Sequence, residues 1–88
     1  MTYLLIRHRI AEFAAWKAAY DRHAGARLAA GLKDKELLRD LNDPNQIVLI
    51  FEVSDVQKAR EFSESPSLRE AMRAAGVTDK PDLYFLQH

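Results

Sequence analysis

Five consecutive apolar residues, Ile47 to Phe51, lie inside the run Gln46 to Val53, and successive side chains on a strand alternate, so this strand is apolar on both sides. Both of its faces need a cover. Tyr3 to Ile10 opens with Leu4, Leu5 and Ile6 and turns basic at Arg7, His8 and Arg9, a first strand whose far end reaches a polar place. From Glu12 to Ala30 the spacing becomes helical, with Phe13, Trp16, Tyr20, Ala24 and Leu28 recurring every three or four residues. Gly31 suits a C-terminal cap, and Gly25 marks a bend within this helix. Lys35 to Leu41 reads as a weaker edge strand, with Leu37 and Leu41 on one side and Leu38 on the other. Asn42, Asp43, Pro44 and Asn45 supply the turn of a hairpin that pairs it with Gln46 to Val53.

Ser54 and Gln57 form a capping-box pattern that starts a second helix through Val56, Ala59 and Phe62. Ser65-Pro66 interrupts it. A new helical piece, with Ser67 and Glu70 as a second box, carries Leu68, Ala71, Met72 and Ala75 to a stop at Gly76. Thr78 to Pro81 connects to a last strand, Leu83 to Leu86. The order strand, helix, strand, strand, helix, strand predicts one α+β domain over residues 1–88. It is a ferredoxin-like βαββαβ fold whose four-stranded antiparallel sheet has strands one and three at its centre.

Two helices on one face split the central strands by parity. Leu4, Ile6, His8, Ile47, Leu49, Phe51 and Val53 face the helices, while Tyr3, Leu5, Arg7, Arg9, Gln46, Val48, Ile50 and Glu52 face away. The second set is too apolar to stay wet throughout, so a second copy of the chain is expected to cover it as a homodimer. The competing picture is a monomer with a partly solvated sheet.

The chain has 88 residues, 48% of them hydrophobic, but thirteen of these are Ala, so the core is modest. Thirteen basic and thirteen acidic residues cancel, which excludes a strongly phosphate-neutralising surface and a basic membrane-binding face. Neither nucleic acid nor membrane is expected as a partner. An RNA-recognition domain with the same strand order would need aromatic and basic residues where Val48, Ile50 and Glu52 stand. There is no Cys, no signal-like opening and no membrane-length apolar run, which fits a cytoplasmic protein. The three His residues lack metal-ligand spacing, and the three Gly residues form no phosphate-cradling loop, so neither a metal nor a cofactor is expected.

The stretch Ile47 to Met72, with its apolar strand ending in Glu52, the Ala59 and Phe62 spacing and Ser65-Pro66 before Leu68 to Met72, resembles the antibiotic-biosynthesis-monooxygenase-like family of the dimeric α+β barrel superfamily. The resemblance implies that two sheets join into a barrel and that a ligand lies between the sheet and helices of each subunit. It implies a cofactor-independent monooxygenase acting on a small hydrophobic or aromatic compound. The alternative is a non-catalytic binding or regulatory module on the same fold. The Asn, Trp and haem-ligating His of the haem-degrading branch fall on His8, Ser54 and Met72, and none is kept. The Trp of similar cofactor-free oxygenases also falls on Ser54, and the Tyr and His of plant polyketide cyclases fall on Phe62 and Leu68.

His8 is the candidate catalytic residue, a group titrating near neutral pH at the polar end of a central strand; otherwise it is a hydrogen-bonded core histidine. Trp16, Tyr20, His23, Phe51, Phe62 and Met72 are the candidate substrate-binding residues. Trp16 and Tyr20 are also natural core anchors, and His23 is also a natural solvated helix residue. Arg7 and Glu52 share the outer face and are placed to pair across neighbouring strands, and His88 is terminal.

Overall fold

The computed structural model describes residues 1–88, and its sheet is built around β3 (Gln46–Val53). Along β3 burial alternates without a break: Ile47, Leu49, Phe51 and Val53 are buried, and Gln46, Val48, Ile50 and Glu52 are half-buried. β1 (Thr2–Arg9) pairs with it in a register that sets Leu4 opposite Phe51, Ile6 opposite Leu49 and His8 opposite Ile47. The helix-facing residues expected on the two central strands therefore stack as one buried layer. With β2 (Leu32–Arg39) and β4 (Asp82–Gln87) on the edges, the order is β2-β3-β1-β4, all antiparallel, as the βαββαβ order predicts.

The edge strand β2 begins and ends earlier than its sequence suggests. Its register shifts between Asp34 and Glu36, leaving Lys35 as an extra, bulged residue. The bulge changes the parity, so Leu32, Asp34 and Leu37 all lie opposite helix-facing residues of β3. Leu41, expected to share a side with Leu37, lies beyond the strand and is 97% exposed.

The first helical stretch is not continuous. It divides at His23 into α1 (Phe13–Arg22) and the short α2 (Ala24–Ala29). The His23 backbone N–H reaches the Ala19 and Tyr20 carbonyls at 3.2 Å each, which closes α1 two residues before Gly25. Gly31 does end the stretch with a φ of 80°, and a Cβ there would meet the Ser54 hydroxyl at 2.9 Å.

The caps of the next two helices also differ from the boxes expected. Asp55 caps α3 (Val56–Ser63), accepting from the Lys58 N–H, because Ser54 is occupied in donating to the Gly31 carbonyl. Ser65 caps α4 (Pro66–Ala74), accepting from the Leu68 N–H with Pro66 in the first turn, while Glu70 pairs with Arg73. Gly76 ends α4 with a φ of 92°, as expected.

The core joins the buried sheet residues to Trp16, Ala30 and Ala59, with Phe13, Tyr20, Phe62 and Phe85 packed around it. No helix covers the other side of the sheet. There Tyr3, Leu5, Val48 and Ile50 are half-buried, and the edge residues Leu38, Tyr84 and Leu86 are exposed. Arg7 on this face pairs with Asp79 at 3.0 Å and Asp82 at 2.8 Å and not with Glu52, which lies opposite Tyr3 and approaches Lys33. Arg7 thus pins the connector after α4 to the end of β1. No helix is long and apolar enough to cross a membrane.

Candidate functional site

Between the sheet and the helices is a cavity of about 260 Å³, just below the roughly 300–1,000 Å³ usual for ligand pockets. His8 and Phe51 rise into it from β1 and β3, together with Ile6 and Leu49. Trp16 and Tyr20 descend from α1, and His23 from the joint where α1 ends. Phe62 closes it from α3, and Met72 with Leu68 from α4. All seven residues singled out in the sequence therefore line one space. Arg27 of α2, beyond the break at His23, also lines the cavity.

His8 is 2% exposed, and neither Nδ1 nor Nε2 has a hydrogen-bond partner. The structure thus does not make it the hydrogen-bonded core histidine that was the alternative. Burial, reinforced by the Arg7 charge and only partly offset by Asp79, pushes its pKa down to about 4. At neutral pH it is an uncharged imidazole with one N–H donor and one acceptor nitrogen. Leaving a buried polar group unpaired costs about 1–3 kcal/mol, so an unpaired His8 works against the stability of the fold. Its only ring neighbour is Trp16, edge-on at 5.8 Å between centroids.

The Trp16 indole stacks on Tyr20 at 4.9 Å, and the Arg27 guanidinium carbon sits 3.6 Å from the centre of the Tyr20 ring. Burial raises the Tyr20 phenol to about 12, so it stays protonated. Arg27 is 6% exposed; it donates to the Tyr20 carbonyl at 2.7 Å and, at 3.3 and 3.4 Å, to Asp34, which the β2 bulge brings to the helix side. Nearer the opening, His23 stacks on Phe62 at 5.9 Å, and the exposed Arg22 contributes to the same wall.

Arg22 and Arg27 escaped the sequence reading. Arg27 follows Tyr20 by two helical turns, a spacing that places both on one face, and this signal was available. Asp34 had none, because its orientation depends on the bulge. Ser54, where similar oxygenases carry Trp, is exposed and tied to Gly31, away from the cavity lining.

The arrangement can hold a small, flat, apolar molecule against aromatic walls, with a neutral imidazole in the lining. No group of three His, Asp or Glu side chains is placed to hold a metal ion.

No protein-family profile matches the chain, and no curated protein matches its sequence. Solved structures do. One described as an antibiotic biosynthesis monooxygenase from Bordetella bronchiseptica superposes with a TM-score of 0.80 at 15% identity, covering 99% of this chain and 95% of its own. Another so described, from Nitrosomonas europaea, gives a TM-score of 0.69 at 13% identity over 100% and 98%. A point mutant of SnoaB, a cofactor-independent oxygenase from Streptomyces nogalater, gives 0.71 at 20% identity over 99% and 93%. The chain thus has the α+β, ferredoxin-like fold of the antibiotic-biosynthesis-monooxygenase-like proteins.

Proposed function

We propose that residues 1–88 form a single domain that pairs with a second copy as a dimeric α+β barrel and binds a small hydrophobic or aromatic molecule in the His8 cavity. The observation that carries this reading is His8 itself, a buried imidazole with two unsatisfied nitrogens in the lining of a mostly apolar cavity. A ligand hydroxyl or carbonyl would satisfy it. Trp16, Tyr20, Phe51, Phe62 and Met72 would hold the ring, and His23 would flank the entrance. The uncovered outer face, with Leu5, Val48, Ile50 and Tyr84, supports the homodimer. A chain without Cys suits the reducing cytoplasm, where we place it.

The fold shared with a cofactor-independent oxygenase supports a monooxygenase reaction. With no cofactor, the electrons must come from the bound compound, so an electron-rich ring is the fitting substrate. His8 would orient and polarise it. A second reading, a non-catalytic binding or regulatory module, is favoured by the low pKa of His8, which makes it a weak base at neutral pH. Native mass spectrometry of freshly purified protein tests the shared part of both readings. Twice the 10.1 kDa chain mass with a retained small molecule is expected. A bare monomer would contradict it.

A further inference from the structure

The lining of the cavity is uneven in charge. Apart from its hydrophobic residues it contains only His8, Arg22, His23 and Arg27, and no carboxylate, although the chain as a whole has as many acidic as basic residues. The two acids nearest in sequence to Arg22 and Arg27 already have partners. Both carboxylate oxygens of Asp21 accept from Lys17, at 2.7 and 2.8 Å, and Asp34 accepts from Arg27, outside the lining.

Donors remain unused in this wall. Arg27 directs three N–H groups to Tyr20 and Asp34, which leaves two of the five a guanidinium carries. Arg22 forms no ion pair or side-chain hydrogen bond, and His23 stacks on Phe62 with its ring nitrogens unbonded to protein. His23 and Arg27 stand one helical turn apart, on the same face. The carbonyl end of α1 opposes an anion here with about half a unit charge, less than the unpaired charge of Arg22, while Asp34 offsets part of the charge of Arg27.

We infer that the preferred ligand is an aromatic carboxylate, its ring between Trp16 and Phe62 and its carboxylate at the opening among Arg22, His23 and Arg27. This rests on the pocket reading above and adds to it the charge of the ligand and the end by which it is held. A cationic amine would meet two guanidinium groups with no lining acid to receive it. A neutral ring would leave the spare guanidinium donors to water.

The test is calorimetric titration of the whole chain with 2-naphthoate and with 2-naphthamide, which share a ring system and differ in charge. The naphthoate should bind about tenfold tighter, the scale of a charge-assisted hydrogen bond that is partly open to water. Arg22→Gln, at an exposed position, should remove most of that advantage, costing naphthoate far more affinity than naphthamide. Raising salt should narrow the gap. Equal affinities for the two probes would overturn the carboxylate assignment and leave the pocket standing. A naphthoate preference that survives Arg22→Gln in full would overturn the placement of the carboxylate. Binding of neither probe at millimolar concentration would overturn the pocket reading as well.

Discussion

His8 meets Trp16 edge-on, with ring centroids 5.8 Å apart and planes inclined at 66°, and this ring contact ties the polar floor of the cavity to its aromatic wall. The imidazole is held by packing alone. Its orientation comes from β1 and the indole, and its hydrogen-bonding capacity is left for something else.

That imbalance makes a stability prediction. Unfolded, His8 binds its proton near the ordinary 6.5; folded, near 4. Between these values the unfolded chain holds more protons, so the contribution of His8 is full above about pH 6.5 and is lost as pH falls toward 4. The loss is at most about 3 kcal/mol. His8→Leu should abolish this dependence and, by removing two unpaired nitrogens, raise stability at pH 7 by about 1–3 kcal/mol. Urea denaturation of both proteins at pH 7 and pH 5 measures it. A variant less stable than the parent at pH 7 would show that His8 already has its partners.

The helix caps can be told apart by single substitutions. Ser65→Ala should cost about 0.5–2 kcal/mol, because the Leu68 N–H loses its acceptor. Ser67→Ala should stay within about 0.5 kcal/mol, since Ser67 is exposed and is not the cap. Thermal melts of the pair give the comparison, and equal losses would refute the Ser65 cap.

Leucines separate in the same way. Leu4 is fully buried opposite Phe51, and Leu4→Ala should cost about 2–5 kcal/mol. Leu41→Ala should change stability by no more than about 0.5 kcal/mol. Chemical denaturation midpoints decide between this and the strand position that the sequence suggested for Leu41.

The outer face is where the proposed dimer would form. Ile50 lies at its centre, between Leu5 and Glu36, so Ile50→Glu places a charge where the second copy is proposed to pack. Sedimentation velocity at micromolar concentration should show the parent at dimer mass and the variant at monomer mass with unchanged far-ultraviolet circular dichroism. A parent that already sediments as a monomer would refute the barrel.

The sheet was legible because a period of two leaves little freedom: once Ile47 is inside, Leu49, Phe51 and Val53 must be too, and the pairing with Leu4, Ile6 and His8 follows. The breaks were not. Gly25 signalled a bend between Glu12 and Ala30, but with an apolar face throughout and no proline nothing fixed the end of the helix at Arg22. The bulge at Lys35 is a backbone choice without a residue signature, and with it went the placement of Asp34 beside Arg27. Where hydroxyl or carboxylate residues stand close together, as at Ser54-Asp55 and Ser65 with Ser67, spacing alone does not select the cap. In the cavity the aromatic walls were readable from helical spacing. Its cationic side was missed, although the seven-residue spacing from Tyr20 to Arg27 pointed to it.

The most direct measurement is the nuclear magnetic resonance of the His8 ring during titration with 2-naphthol, a flat ring bearing one hydroxyl. If the cavity receives such a molecule with its hydroxyl on the imidazole, the His8 ring signals and the Trp16 indole N–H should move together and saturate at one common midpoint. If both stay fixed at millimolar 2-naphthol, the space between sheet and helices is not a binding site and His8 is a buried polar group without a function.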